Sequence, residues 1–307
     1  MTRITPSTEV GIGGKKLRAA VIFVVVTVAL DILSLALIIP VLPNLIASFA
    51  GGVSNGALIL GIFTGSWGMM QFLFSPILGS LSDRFGRRPI ILLSNLGLGL
   101  DYVLMAVAPN LWVLFVGRLL SGITTSTFSV ANSYIADVLP PDRRAQGFGL
   151  LGAAFGVGFV VGPAIGGLLG GLDHRLPFWV AAGLSLTNFL YGFFVLPESL
   201  APENRRQFRF TMLQPLKSWS WIWRNLPLRM VASFQLIYFT VHGVFAVFVL
   251  YGGYRYHWGL GQVGLMLTVL GIGAAVVQGA LAGIFVRRLG AGVSMILGVV
   301  FGAIGFL

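Results

Sequence analysis

Only 9% of these 307 residues are charged, and just nine are acidic. A soluble globular chain carries about 25% charged residues. A water-solvated fold is therefore excluded, and the lipid bilayer is the solvent. Cysteine is absent, which excludes disulfides and thiolate-held metals. Histidine is limited to three, and His174 and His257 fall in short polar connections. No His/Asp/Glu cluster has metal-ligand spacing, no nucleophile has a base in reach, and no phosphate-cradling glycine loop follows a strand. An enzyme reading has no support, and no metal or cofactor is expected. What fills the chain is apolar: 56% hydrophobic residues, a mean hydropathy of +0.91 and 42 glycines. Glycine suits close helix packing in lipid, where small residues let backbones approach.

A spanning helix needs about 20 apolar residues. Apolar runs predict spans near 18–42, 56–78, 89–108, 111–137, 145–170, 177–196, 229–252, 262–286 and 291–307. The basic N-terminus mimics a secretory signal, but the apolar run continues past Asp31 to Pro40 without a small-residue cleavage site, so the first run reads as an uncleaved span. Residues 197–228 are polar and divide the chain into a six-helix half at 1–196, a linker at 197–228 and a second part with three helices at 229–307. Within the linker, Trp219–Arg224 reads as an interfacial helix or as a loop with anchoring aromatics.

The formal charge of +11 would suit nucleic acid, but position argues otherwise. All of the twenty Lys and Arg except Arg118, Arg175 and Arg255 fall on one side of the predicted spans. That is a positive-inside bias, which puts the N-terminus and linker in the cytoplasm and predicts no nucleic-acid partner. The stretch Gly79–Gly86 is echoed by Gly283–Gly290, each after the second span of its part. With the linker between them, the two copies suggest duplication, as in transporters built from repeats.

Three ionisable residues fall inside predicted spans: Asp31, Asp101 and Arg118. Each costs at least about 2.5–3.5 kcal/mol at the bilayer centre. They are either a proton or ion pathway or a structural Arg–Asp lock. One arginine cannot neutralise two acids in separate spans, which leaves a carboxylate free to take up a proton. Outside the spans, Gly79, Asp83, Arg84, Gly86, Arg87 and Arg88 form a dense charge knot after span two. Asp137 ends span four at the same depth, where it either pairs with Arg87 or is simply solvated. In span five, Pro163 removes a backbone hydrogen bond and is expected to kink the helix. Gly158, Gly162, Gly166 and Gly167 flank it and offer a flat face, which suits either packing or a hinge.

The knot Gly79-Ser-Leu-Ser-Asp83-Arg-Phe-Gly86-Arg87-Arg-Pro resembles the loop 2–3 motif of the major facilitator superfamily. Gly117-Arg118-Leu-Leu-Ser-Gly122 is similar to its membrane-arginine motif, and Gly158-Phe-Val-Val-Gly162-Pro163-Ala-Ile-Gly166-Gly167 to the span-five motif of its drug:proton antiporters. Leu30-Asp31, Ile38-Ile-Pro40-Val-Leu-Pro43, Leu100-Asp-Tyr102 and Ile135-Ala-Asp137 further resemble the tetracycline efflux subfamily. The likeness is dense over 20–200 and looser over 230–307. It implies an all-α membrane protein, a helical bundle with about nine of an expected total of about twelve spans. It also implies a multi-pass protein of a bacterial inner membrane that exports tetracycline-like or other small hydrophobic drugs against protons, driven by the proton gradient. By that resemblance Asp31, Asp101 and Arg118 are the intramembrane charges, Asp83 and Arg87 with Asp137 a cytoplasmic gate, and Gln71 and Gln278 line the cavity.

Two positions depart from the subfamily. Ala274 stands where the tetracycline pumps carry a membrane histidine tied to proton coupling, and Gly302 where they carry an aspartate. A different drug or metabolite, with coupling at Asp31 and Asp101, fits that pattern better. An uptake symporter of the same fold and a C-terminally truncated, non-transporting membrane protein are the competing readings.

Overall fold

The computed structural model describes residues 14–125, 127–205, 222–242, 244–277 and 281–305. The regular elements among them are all helical. They are α1 (Gly14–Ile38), α2 (Leu42–Phe49), α3 (Val53–Phe85), α4 (Arg87–Val107), α5 (Leu111–Thr124), α6 (Thr127–Val138), α7 (Pro141–Leu172), α8 (Leu176–Val195), a short turn at Pro202–Asn204, α9 (Leu226–His242), α10 (Val244–Tyr256), α11 (Leu260–Val276) and α12 (Ala282–Gly305). Among the described residues, six stretches are long and apolar enough to cross a membrane: Ala19–Phe49, Asn55–Phe85, Arg87–Val107, Leu111–Val138, Pro141–Leu172 and Leu176–Val195. Leu260–Val276 and Gly292–Gly305 are shorter apolar helices.

The first and fourth stretches are each two helices. The first breaks around Pro40, which cannot continue the hydrogen-bond ladder, and α2 restarts with a proline in its first turn. The fourth breaks at Thr125. The charge knot, expected as a loop, is helical almost to its end. With 33 residues, α3 is roughly 50 Å long, against a hydrocarbon core of about 30 Å. Asp83 and Arg84 ride on that overhang, and the turn itself is Gly86 alone, at φ +108°. Gly290, which closes the echo of the knot, breaks α12 in the same way at φ +81°.

Packing is closest along α7. A Cβ on Gly158 would lie 2.7 Å from Ile32 Cγ2, and one on Gly162 or Gly166 would overlap Ala36 or the Leu37 carbonyl of α1. Gly167 faces Gly264 of α11, whose Cα would be 3.0 Å from an added Cβ. The Thr268 hydroxyl crosses the same seam to donate to the Val160 carbonyl at 3.0 Å. The glycines therefore bring α1 and α11 onto α7, which runs unbroken through Pro163. Elsewhere α4 packs on α8 and α5, α3 on α5, and α10 on α2 and α3.

Two apolar clusters fill the first six spans. One holds Val24, Ile91, Val130, Tyr134 and Leu151, towards the end that carries the knot. The other holds Leu37, Leu98, Met105, Leu114 and Phe178, towards the opposite end. Between them runs a belt of buried polar residues that includes Asp31, Asn95, Thr127 and Asn188.

Candidate functional site

At the knot, one guanidinium organises three partners. Arg87 Nε donates to Asp137 Oδ2 at 2.9 Å, and its Nη1 donates to Asp83 Oδ1 at 2.5 Å and to Ser82 Oγ at 2.6 Å. The Arg87 side chain is only 10% exposed, while Asp83 and Asp137 remain 35% and 22% exposed. The cluster opens into a cavity of about 390 Å³, lined also by Ser199, Leu200 and Asn204. The Ser199 hydroxyl reaches Asp137 Oδ2 at 3.4 Å. The spacing left Asp137 either paired or solvated, and it is paired.

The other arginines of the knot point elsewhere. Arg84 is exposed, with its guanidinium 5.0 Å from the centre of the Phe85 ring. Arg88 lies over Phe193 of α8 and donates to the Phe193 carbonyl. Gly79 faces open space.

Glu198, which the sequence marked only as part of a polar stretch, anchors the whole arrangement. A helix start leaves its first N–H groups without partners, and Gly86 offers α4 no side-chain cap. Glu198 supplies one from 111 positions away: Oε1 accepts from Arg87 N at 2.8 Å, and Oε2 accepts from Arg88 N at 3.2 Å. Pro89 has no N–H to satisfy, so the first turn is closed. The carboxylate also suits the positive end of the helix dipole. A side chain on Gly86 would overlap this carboxylate, so glycine there serves the seat as well as the turn. Oε1 also accepts from the backbone of Ser199 and Leu200, at 3.0 Å each, and the Tyr134 hydroxyl donates to the Pro197 carbonyl at 3.1 Å. The one legible signal was position, since Glu198 is the acid directly after the sixth span. Glu198→Ala is expected to lower stability by about 1 kcal/mol, because the part-buried N–H groups of Arg87 and Leu200 lose a charged acceptor. Glu198→Gln is expected to lose roughly half as much. Thermal unfolding of the purified variants checks both, and two wild-type midpoints would remove Glu198 from this role.

The intramembrane charges lie in the polar belt. Asp31, Asp101 and Arg118 are 6%, 2% and 8% exposed. Among the described residues, Arg118 makes no ion pair within 4 Å, so neither acid is locked to it. Its guanidinium lies 5.4 Å from the Trp67 ring centre, a cation–π arrangement. Asp101 packs against the residue before Arg118: a Cβ on Gly117 would lie 2.8 Å from Asp101 Oδ1. Asp31 Oδ1 has no hydrogen-bond partner among the described residues. Nearby, Thr127 Oγ1 donates to Asn95 Oδ1 at 3.4 Å. Gln71 Nε2 reaches the Thr125 carbonyl at 3.5 Å. Gln278 and Trp219–Trp221 lie outside the described residues. Ala274 and Gly302 are exposed on α11 and α12.

The Major Facilitator Superfamily profile matches residues 24–307 of this chain. The class C tetracycline resistance protein of Escherichia coli is 39% identical over 292 residues, covering 94% of this chain and 72% of that protein. The class B protein of Escherichia coli is 36% identical over 277 residues, covering 88% and 67%. Among solved structures, the human organic anion transporter MFSD10 superposes with a TM-score of 0.69 at 27% identity, covering 90% of this chain and 74% of that one.

Proposed function

The chain belongs to the major facilitator superfamily, a family of transporters and not of enzymes, and from that premise we propose that it is a drug:proton antiporter. Its cargo is a tetracycline-like or other small hydrophobic drug, since relatives that cover most of the chain carry tetracycline resistance in their names. Ala274 and Gly302, which lack ionisable groups, favour a drug other than tetracycline itself. The six-helix half ends at 196, the linker runs over 197–228, and the second half begins at 229. The knot faces the cytoplasm of a bacterial inner membrane, as the distribution of Lys and Arg supports.

The observation that carries proton coupling is the burial of Asp31 and Asp101 in the span region, with neither in an ion pair among the described residues. A carboxylate at that depth is costly while charged, so it takes a proton readily and changes its attraction to Arg118 when it does. A proton arriving from outside neutralises Asp31 or Asp101, the two halves rock, and the drug leaves outward. On the cytoplasmic face, Arg87 with Asp83 and Asp137 latches the knot to the end of α6 while that side is closed. Gln71 and Gln278 line the drug path.

The test is efflux of tetracycline and of a hydrophobic dye from cells expressing the chain, with and without an uncoupler. Uncoupler-sensitive efflux is expected, and accumulation identical to that of control cells would sink the proposal. Asp101→Asn is expected to lower pH-gradient-driven efflux by about a hundredfold, the scale on which a positioned proton donor contributes. Unchanged coupling in that variant would move the relay elsewhere.

A further inference from the structure

The buried polar belt contains more than its three charges. Four helices contribute neutral polar groups to it: Thr27 from α1, Asn95 from α4, Thr127 from α6 and Asn188 from α8, each 0% exposed. Asn188 Nδ2 donates to the Thr27 carbonyl at 2.9 Å, which ties α8 to α1. Tyr102 follows Asp101 on α4 and is 1% exposed, and its hydroxyl has no hydrogen-bond partner among the described residues.

Arg88 Nε apart, every buried side-chain polar atom without a hydrogen-bond partner among the described residues falls in this belt. They include Asp31 Oδ1, both Asp101 oxygens, the Tyr102 hydroxyl, Asn95 Nδ2 and Asn188 Oδ1. Left dry, such a set would outweigh the folding stability of an ordinary domain. Donors and acceptors occur side by side, which is what a buried water requires. Tyr102 belongs to one of the two apolar clusters and carries its hydroxyl there; the aliphatic members of both offer water nothing.

We propose that the belt is a closed, hydrated compartment inside the six-helix half. Ordered water, held by Thr27, Asn95 and Asn188, bridges the carboxyls of Asp31 and Asp101 past Tyr102. The charged and titratable groups facing it are Asp31, Asp101, Tyr102 and Arg118. A protonated carboxyl gives its proton to a neighbouring water, that water passes one of its own onward, and the last protonates the second carboxylate. Water and charge are conserved along the path. The two acids then act as one proton site shared between α1 and α4. That role rests on the antiporter reading above, whereas the hydration does not.

The test is hydroxyl-radical footprinting by brief X-ray radiolysis of the full chain in lipid nanodiscs, with oxygen addition read by mass spectrometry. Radicals arise from water, so a buried ring is oxidised only where water lies beside it. Tyr102 and Phe178 belong to one apolar cluster and are equally buried, at 1% and 0% exposure, but Tyr102 carries an unpartnered hydroxyl and Phe178 has no polar atom to hold water. Tyr102 is expected to oxidise on the order of tenfold faster than Phe178. Thr27→Val, which keeps the side-chain shape, and Asn95→Leu are expected to lower Tyr102 oxidation severalfold and leave Phe178 unchanged. Tyr102 as slow as Phe178 overturns the compartment. Wild-type oxidation of Tyr102 in both variants overturns the assignment of the water-holding residues. Because labelling needs no transport, a chain that exports nothing would still report on the hydration.

Discussion

Gly166→Val is expected to leave only a small fraction of the chain folded in the membrane, while Gly156→Val is tolerated. Both glycines lie on α7, but they face different surroundings. An added Cβ at Gly166 overlaps the Leu37 carbonyl oxygen, whereas at Gly156 nothing lies within 4 Å. A flexible side chain could turn aside, but a backbone carbonyl cannot, so α1 and α7 must separate. Overpacking costs typically about 1–3 kcal/mol and more where the obstacle is rigid. Separation would also disturb Gly162 against Ala36 and Gly158 against Ile32, because the three glycines form one seam. The measurement is the monodisperse fraction after heating in detergent. A Gly166→Val protein as stable as Gly156→Val would mean that α1 and α7 are not in backbone contact.

Arg87→Ala is expected to abolish efflux and to destabilise the protein by roughly 1–3 kcal/mol, between the values for exposed and buried pairs. The discount from the buried figure reflects the partial exposure of Asp83 and Asp137. Without the guanidinium, the two carboxylates face one cavity with no cation between them. Arg87→Lys is expected to recover little, since an ammonium is a point charge and cannot span both acids and Ser82 as the planar group does. A double-mutant cycle of Arg87→Ala with Asp137→Ala separates the pair from general damage. Coupling near zero, with wild-type efflux in Arg87→Lys, would remove the latch from the mechanism. Raised salt is expected to weaken the latch only modestly, because the arginine is largely sheltered from solvent.

Arg84, Arg87 and Arg88 stand within five residues, and the sequence named Arg87 as a candidate partner of Asp137 but left open whether the pair forms. The rotation of α3 and α4 about Gly86 decides it, since Arg87 turns inward to α6, Arg88 lies against α8 and Arg84 stays outside. The intramembrane lock was an open alternative for a related reason. Asp31, Asp101 and Arg118 are legible as costly charges, but whether they meet depends on how three helices are turned. Among the described residues they do not form an ion pair.

The sequence alone determined the solvent, the first six spans and the family. These follow from composition, from run length against bilayer thickness and from short local motifs, all of which are properties of neighbours in the chain. Only the tertiary structure decided that Glu198 caps a helix 111 positions away, that Gly86 makes room for that carboxylate, and that buried polar groups without partners among the described residues include both Asp101 oxygens, the Tyr102 hydroxyl and Asn188 Oδ1. Each of those depends on which faces of distant helices meet. In lipid, packing of small residues and a few hydrogen bonds sets those faces, and the glycines of α7 at a spacing of four mark such a face without saying which helix meets it.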